Sequence, residues 1–328
     1  MPDLLLDVSG LSVEIASAEG LVRPVRDVSL AIERGGSVAL VGESGSGKTM
    51  TCLALVNLLA APARLVSGRV LYDGTDLARL SEADLQKIRG RRIGFIFQDP
   101  TAALDPLFTV GEQIGETLRA HLGASRSEAR ARTLRLMEEL EIPGASTRIA
   151  DYPHQFSGGM RQRISIAIAL ACEPELLIAD EPTTALDVTT ERTILELIAR
   201  IRRERNLALL LVTHSLAIAA VAADHVCVMY GGRIVESGAI DETLRRPGHP
   251  YTEALRACAL SVERGTSSRL ATIPGTVPNL IGELDRCSFA ERCPYADEPC
   301  YSARPPLFAA PAGEAACFHV DRELQAVW

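Results

Sequence analysis

Leu4 to Ile15 alternates apolar and polar positions, Ala16 to Gly20 breaks the pattern, and Leu21 to Ile32 resumes it before Arg34-Gly35-Gly36. Period-two alternation interrupted by a turn predicts an antiparallel hairpin layer. Ser37 to Val41 is instead a continuous apolar run, which reads as a buried strand. Met50 to Ala60 is apolar, lacks Gly and Pro, and predicts a helix. Gly68 to Gly74 reads as a strand and turn. Ser81-Glu82-Ala83-Asp84 is a capping box for a short helix to Arg89. Arg92 to Gln98 is an apolar strand that ends in a polar amide.

From Thr101 to Cys172 the periodicity turns helical. The charged stretch Ser125 to Leu140 places Leu134, Met137 and Leu140 on one face, and Pro143-Gly144 ends it. This predicts a helical subdomain over about 101–172. Then follow a strand at Leu176 to Asp180, a helix through Arg205, a strand at Leu207 to Thr213, a helix to Ala223, and a strand at His225 to Tyr230. A Gly231-Gly232 turn leads into a last strand ending at Glu236. Strands alternating with helices predict an α/β fold with a parallel sheet. The composition shifts at Arg246-Pro247-Gly248-His249-Pro250, and residues 261–286 carry little periodicity. A linker and a small C-terminal extension over 241–328 are expected there, after a main domain over 1–240.

The length of 328 residues fits one large domain with an appendage. Apolar content of 47% and charged content of 23% are those of a soluble globular protein. A net charge of -8 argues against nucleic acid as the main ligand. The start, Met1 to Leu6, does not have the pattern of a signal peptide. No apolar window is long enough to span a bilayer: the nearest, Leu207 to Tyr230, is broken by His214, Ser215, Asp224 and His225. The expectation is a cytosolic or peripheral protein. Of eight cysteines, Cys52, Cys172, Cys227 and Cys258 lie in apolar or helical contexts and read as small buried hydrophobes. Cys287, Cys293, Cys300 and Cys317 crowd into the extension. Disulfides are unusual in a cytosolic chain, so these four need another explanation.

Candidate chemistry centres on Gly42-Glu43-Ser44-Gly45-Ser46-Gly47-Lys48-Thr49. Strand, glycine loop and helix in that order define a phosphate-binding P-loop. Gly42, Gly45 and Gly47 let the backbone approach an anion, with Ser44 in the same phosphate-binding loop; Lys48 reaches the β- and γ-phosphates, and the Thr49 hydroxyl ligates Mg²⁺. Asp180-Glu181 closes an apolar strand. In a P-loop protein such an Asp holds Mg²⁺, and the Glu after it polarises a water toward the γ-phosphate. Ser157-Gly158-Gly159 stands before the apolar run Ile164 to Leu170, with Ser157 a natural N-cap and the glycines clearing the helix start. That makes a second phosphate site, which suits the nucleotide of a neighbouring subunit.

In this order the motifs resemble those of the ATP-binding cassette (ABC) ATPases, over residues 1 to about 240. The resemblance implies a Q-loop glutamine at Gln98 that contacts Mg²⁺, a signature at Ser157-Gly158-Gly159, Walker B ending in Asp180 with Glu181 as base, a D-loop at Ala185-Leu186-Asp187, and a switch histidine at His214. Two departures stand out. The signature continues with Met160 where many members have Gln. The region Leu11 to Ile15 lacks the aromatic on which the family stacks adenine, so Ile15 is the apolar candidate and GTP is an alternative to ATP. Ile273 to Leu280, the four clustered cysteines, Pro305-Pro306-Leu307 and Gly248 to Thr252 resemble the extension of oligopeptide/dipeptide importer ATPases.

That resemblance implies a [4Fe–4S] cluster on Cys287, Cys293, Cys300 and Cys317. Four thiolates can equally close a tetrahedral Zn²⁺ site, although the spacings lack paired C-x₂-C knuckles, and metal-free cysteines are the remaining reading. The function implied is hydrolysis of ATP with Mg²⁺ to energise peptide import. Implied partners are a second ABC ATPase subunit (a heterodimer), two transmembrane permease subunits and an extracytoplasmic peptide-binding protein, with no nucleic acid. The implied location is peripheral, on the cytoplasmic face of the bacterial inner membrane. The alternative is a non-transport ABC ATPase acting on nucleic acid or ribosomes, and a third reading is a redox-sensing regulator.

Overall fold

A computed structural model describes residues 3–184, 186–263 and 272–322, with side chains at 260–263 left out. In chain order the strands are β1 (Leu4–Ser17), β2 (Gly20–Glu33), β3 (Ser37–Val41), β4 (Ala63–Tyr72), β5 (Thr75–Asp76) and β6 (Ile93–Ile96). They continue as β7 (Leu176–Asp180), β8 (Ala208–Thr213), β9 (His225–Tyr230), β10 (Arg233–Ala239), β11 (Phe308–Ala310) and β12 (Gly313–Ala315). The chain groups into two compact units, one built chiefly of residues 79–212 and the other of 4–32, 37–78 and 213–328.

The 79–212 unit carries parallel strands β6, β7 and β8 in adjacent positions, with Ile93 opposite Leu176 and Leu176 opposite Ala208. Every residue of β7 and β8 is buried, as expected of strands covered on both faces. Five helices and a 3-10 turn fill 100–170, which matches the helical stretch expected over about 101–172 to within two residues at each end. Helix Gly158–Leu170 packs on Val110–Leu122, Arg126–Glu139, Val188–Arg205 and β6. On the 126–139 helix the buried positions are Ala129, Thr133, Leu136 and Met137, with Leu140 buried just after it. Of the expected face, Met137 and Leu140 are buried and Leu134 is only half-buried, because the buried stripe runs 129, 133, 136, 137, 140.

In the other unit, β2, β1, β4 and β5 lie in that order in one sheet, and β4 runs antiparallel to β1. A second set starts with β3 and β9 in parallel, with Val38 opposite His225. From there β10, β12 and β11 add antiparallel strands. Here the structure corrects the sequence reading. Part of the extension is sheet: Glu236 pairs with Ala315 and Gly238 with Gly313. Nor is Arg246 to Pro250 the start of a linker, because Pro250 opens the helix Pro250–Glu263. Proline suits that first position, where its missing N–H costs nothing. Of the linker expected within 261–286, residues 264–271 lie outside the described residues. The extension and the strands of the main domain share a core: Val41, Val228, Tyr230 and Val235 pack with Tyr251 and Phe289, and Cys287 and Cys293 lie against them.

Candidate nucleotide site

Strand β3, buried throughout, delivers the chain into the glycine loop. Only glycine fits at two of its positions. At Gly47 the backbone has φ of 108°, and an added Cβ would stand 2.0 Å from the Pro24 carbonyl oxygen; at Gly42 it would stand 2.2 Å from that of Met229. Both clashes are with backbone, which cannot move aside as a side chain can. Helix Lys48–Leu55 then begins with no side-chain cap and no acidic residue in its first turn. That leaves an N-terminus suited to an anion. Lys48 is 4% exposed, and its ammonium donates to the carbonyls of Gly42 (2.7 Å) and Glu43 (3.1 Å). The helix is shorter than the expected 50–60 segment. Asn57 takes a left-handed φ of 52°, and the Leu58 N–H closes onto the Leu53 carbonyl at 2.8 Å. Ser44 and Gly45 are exposed on the loop, Thr49 is half-buried in the helix, and His214 is exposed just beyond β8.

The 79–212 unit holds the rest of the predicted set. Asp180 ends β7 with 2% exposure. Glu181 follows in the left-handed region at φ of 45°, its N–H bonded to the Val212 carbonyl at 3.0 Å. A non-glycine residue held there stores strain, which concentrates at functional positions. The Glu181 carboxylate accepts from Gln98 Nε2 (3.3 Å) and from the Thr184 hydroxyl (2.9 Å). Thus Gln98 and Glu181, predicted separately, share one polar cluster. Ser157 caps helix 158–170 by accepting from the Met160 N–H. Met160 uses its sulfur elsewhere, 3.3 Å from Arg148 Nη1. Ser157, Gly158 and Gly159 line a cleft of about 460 Å³ with Leu186, Asp187 and Thr190. Two bonds from Thr190 hold the Asp187 carboxyl below the usual range. Ala185 of the D-loop lies outside the described residues.

The four clustered cysteines are free thiols within electrostatic reach of one another. Burial, above all, pushes Cys287 up to about 11 and Cys293 up to about 12. Among the described residues, no three of the four sulfurs lie within 4.8 Å of one another; the group that does is Asp297, Cys300 and His319. Asp297 and His319 were not foreseen. His319 stands two residues after Cys317, a Cys-x-His spacing that could have drawn notice. Also unforeseen was the grip on Glu43: its carboxylate is paired with Arg292, and its N–H donates to the Tyr251 hydroxyl at 2.8 Å. No local pattern connects residues so far apart in sequence.

A glycine loop closed to side chains at Gly42 and Gly47, a buried strand-end aspartate, a strained glutamate and a capped double-glycine helix start are the features expected of a P-loop ATPase of the cassette class. The chain matches the ABC transporter family over residues 25–184, and the oligopeptide/dipeptide transporter C-terminal region over 235–300. The dipeptide transport ATP-binding protein DppD of Escherichia coli is 43% identical over 92% of this chain and 92% of its own. The oligopeptide transport ATP-binding protein OppD of Haemophilus influenzae is 43% identical over 91% of this chain and 92% of its own. Among solved structures, the cassette MJ0796, a dimer in a post-hydrolysis state bound to ADP and Pi, is similar at a TM-score of 0.65 and 29% identity, over 72% of this chain and 98% of its own. The chain belongs to the ABC transporter ATP-binding proteins, in the branch that bears the oligopeptide/dipeptide C-terminal region.

Proposed function

We propose that this chain is the ATP-hydrolysing subunit of an importer of dipeptides or oligopeptides. The observation that carries this reading is the joining of an ABC cassette to the oligopeptide/dipeptide C-terminal region in one chain. In this reading Lys48 and the loop from Gly42 to Gly47, including Ser44 and Gly45, hold the phosphates of ATP. Thr49, Gln98 and Asp180 hold Mg²⁺, which when bound offsets the charge that develops on the phosphates. A nearly buried carboxylate at a strand end is a fitting donor for it. Glu181 polarises the attacking water and His214 contacts the γ-phosphate. Ser157, Gly158, Gly159 and Asp187 serve the nucleotide of a second, different ATP-binding subunit.

Two permease subunits and an extracytoplasmic peptide-binding protein complete the assembly, with this chain peripheral on the cytoplasmic face of the inner membrane. Among the described residues no helix is long and apolar enough to cross a membrane, in keeping with that role. The test is ATP hydrolysis by the assembled complex. Stimulation by peptide-loaded binding protein is expected; stimulation by ribosomes or nucleic acid instead would overturn the reading in favour of the non-transport alternative.

The cysteine centre belongs to the same proposal. Around one zinc ion, thiolates bonded at about 2.3 Å come within roughly 4 Å of each other. Sulfurs that neighbour one another, with no three of them gathered within 4.8 Å among the described residues, suit a larger inorganic group. A [4Fe–4S] cluster on Cys287, Cys293, Cys300 and Cys317 is therefore preferred, with Zn²⁺ at Asp297, Cys300 and His319 as the reading that this other group favours. Anaerobic purification with iron, sulfide and zinc analysis separates them.

A further inference from the structure

Glu43 is the one acid in the phosphate loop. A carboxylate beside a polyphosphate site opposes binding unless a cation offsets it. Here the cation comes from 249 residues along the chain. Arg292 donates Nη1 to Glu43 Oε2 at 2.6 Å and Nη2 to Oε1 at 3.0 Å, a two-pronged pairing that fixes direction as well as charge. Arg292 is itself immobilised. Its side chain is 5% exposed. Nε donates to the Pro274 carbonyl at 2.7 Å, Nη2 to that of Ile273 at 3.1 Å, and Nη1 to the Tyr230 hydroxyl at 3.2 Å.

The loop is held by its backbone too. Glu43 N–H donates to the Tyr251 hydroxyl, and Gly232 N–H donates to the Ser46 carbonyl at 3.0 Å. Tyr230, Tyr251 and Phe289 pack ring to ring behind these contacts, with centroids 4.6 to 5.4 Å apart. The first turn of the loop therefore rests on a platform supplied largely by residues after 240.

We propose that Arg292 is a positioning residue for nucleotide binding, through which the C-terminal extension sets the ATP affinity of the phosphate loop. This rests on the assignment of that loop to ATP. It does not depend on any metal at the cysteines.

The test uses the assembled transporter with full-length chains. Arg292→Ala and Arg292→Lys are compared with wild type for ATP KM and kcat, ADP Kd and unfolding temperature. Lysine keeps the charge but cannot reproduce the fork and the two carbonyl bonds, and it serves if the alanine variant does not fold. Both variants are expected to raise KM and Kd by about fivefold or more, with kcat within about twofold. Adding Glu43→Gln to either should raise KM no further, because both changes open one link. Variants with wild-type KM, including any that only lower the unfolding temperature, overturn the proposal, as does a Glu43→Gln effect that adds in full. A wild-type complex that fails to bind ATP would instead remove the ATPase reading, and this inference with it.

Discussion

Glu181 sits where strain and chemistry coincide. Its left-handed backbone is held by the Val212 carbonyl, and Gln98 and Thr184 orient its carboxylate. Glu181→Gln keeps the shape and most of the hydrogen bonding but removes the base. Single-turnover hydrolysis in the assembled complex should fall by ~10²–10⁴-fold while ATP binding persists; near-normal turnover would exclude Glu181 as the base. Gly47 gives a second test. Gly47→Ala places a methyl against the Pro24 carbonyl in a backbone conformation that alanine avoids. Strain of roughly 1–3 kcal/mol will be relieved by moving the loop, so nucleotide binding by calorimetry should be lost while the far-UV dichroism of the chain stays nearly unchanged. Most residues of the site were legible because their spacing is fixed by local structure: a strand, a tight loop and a helix start leave few ways to arrange eight residues. The partners of Glu43 were not, since Arg292 and Tyr251 reach it only through the tertiary fold.

At the scale of elements, the strands and the helical stretch followed from their hydrophobic periods, and the errors fell at ends and in the extension. Asn57 and Pro250 each carried a readable signal, one for a helix stop and one for a helix start. The pairing of β12 with β10 carried none, because strands of three residues have too little pattern to read. Helix 250–263 also has a pH-sensitive start. His249 is 1% exposed, and its Nδ1 accepts from the Tyr251 N–H at 3.0 Å. Burial, helped by the charge of Arg322, pushes its pKa down to about 3. Glu236 faces it as well, accepting from the His249 N–H at 2.8 Å. The folded pKa lies below the unfolded value of about 6.5, so the unfolded chain binds the extra proton. Stability from this group is full above that value and falls as pH drops toward 3. His249→Asn keeps a side-chain acceptor without the titration. Urea unfolding between pH 7 and 5 should show a shallower loss for the variant than for wild type; equal slopes would assign the acid sensitivity elsewhere.

For the molecule as a whole, the question is which nucleotide the Ser157-Gly158-Gly159 cleft serves. Ser157 and Gly158 are exposed, and they open a helix of 13 residues whose first turn carries no acid. Leu186 and Asp187 flank them, so one cleft gathers residues of the signature and of the D-loop that the ABC resemblance names. The similar cassette MJ0796 forms a dimer with ADP and Pi bound. If the cleft completes the partner's site, Ser157→Arg should leave ATP affinity of the isolated chain within about twofold of wild type, because its own phosphate loop is untouched. In the assembled complex the same change fills the cleft with a long cation, so hydrolysis should fall by at least about tenfold, the loss expected of a blocked phosphate contact. The two measurements must be made on one preparation, with unfolding temperature as the control for damage to helix 158–170. Lost binding in the isolated chain with surviving turnover in the complex would show that the cleft serves this chain's own nucleotide, and the two-cassette reading would fall.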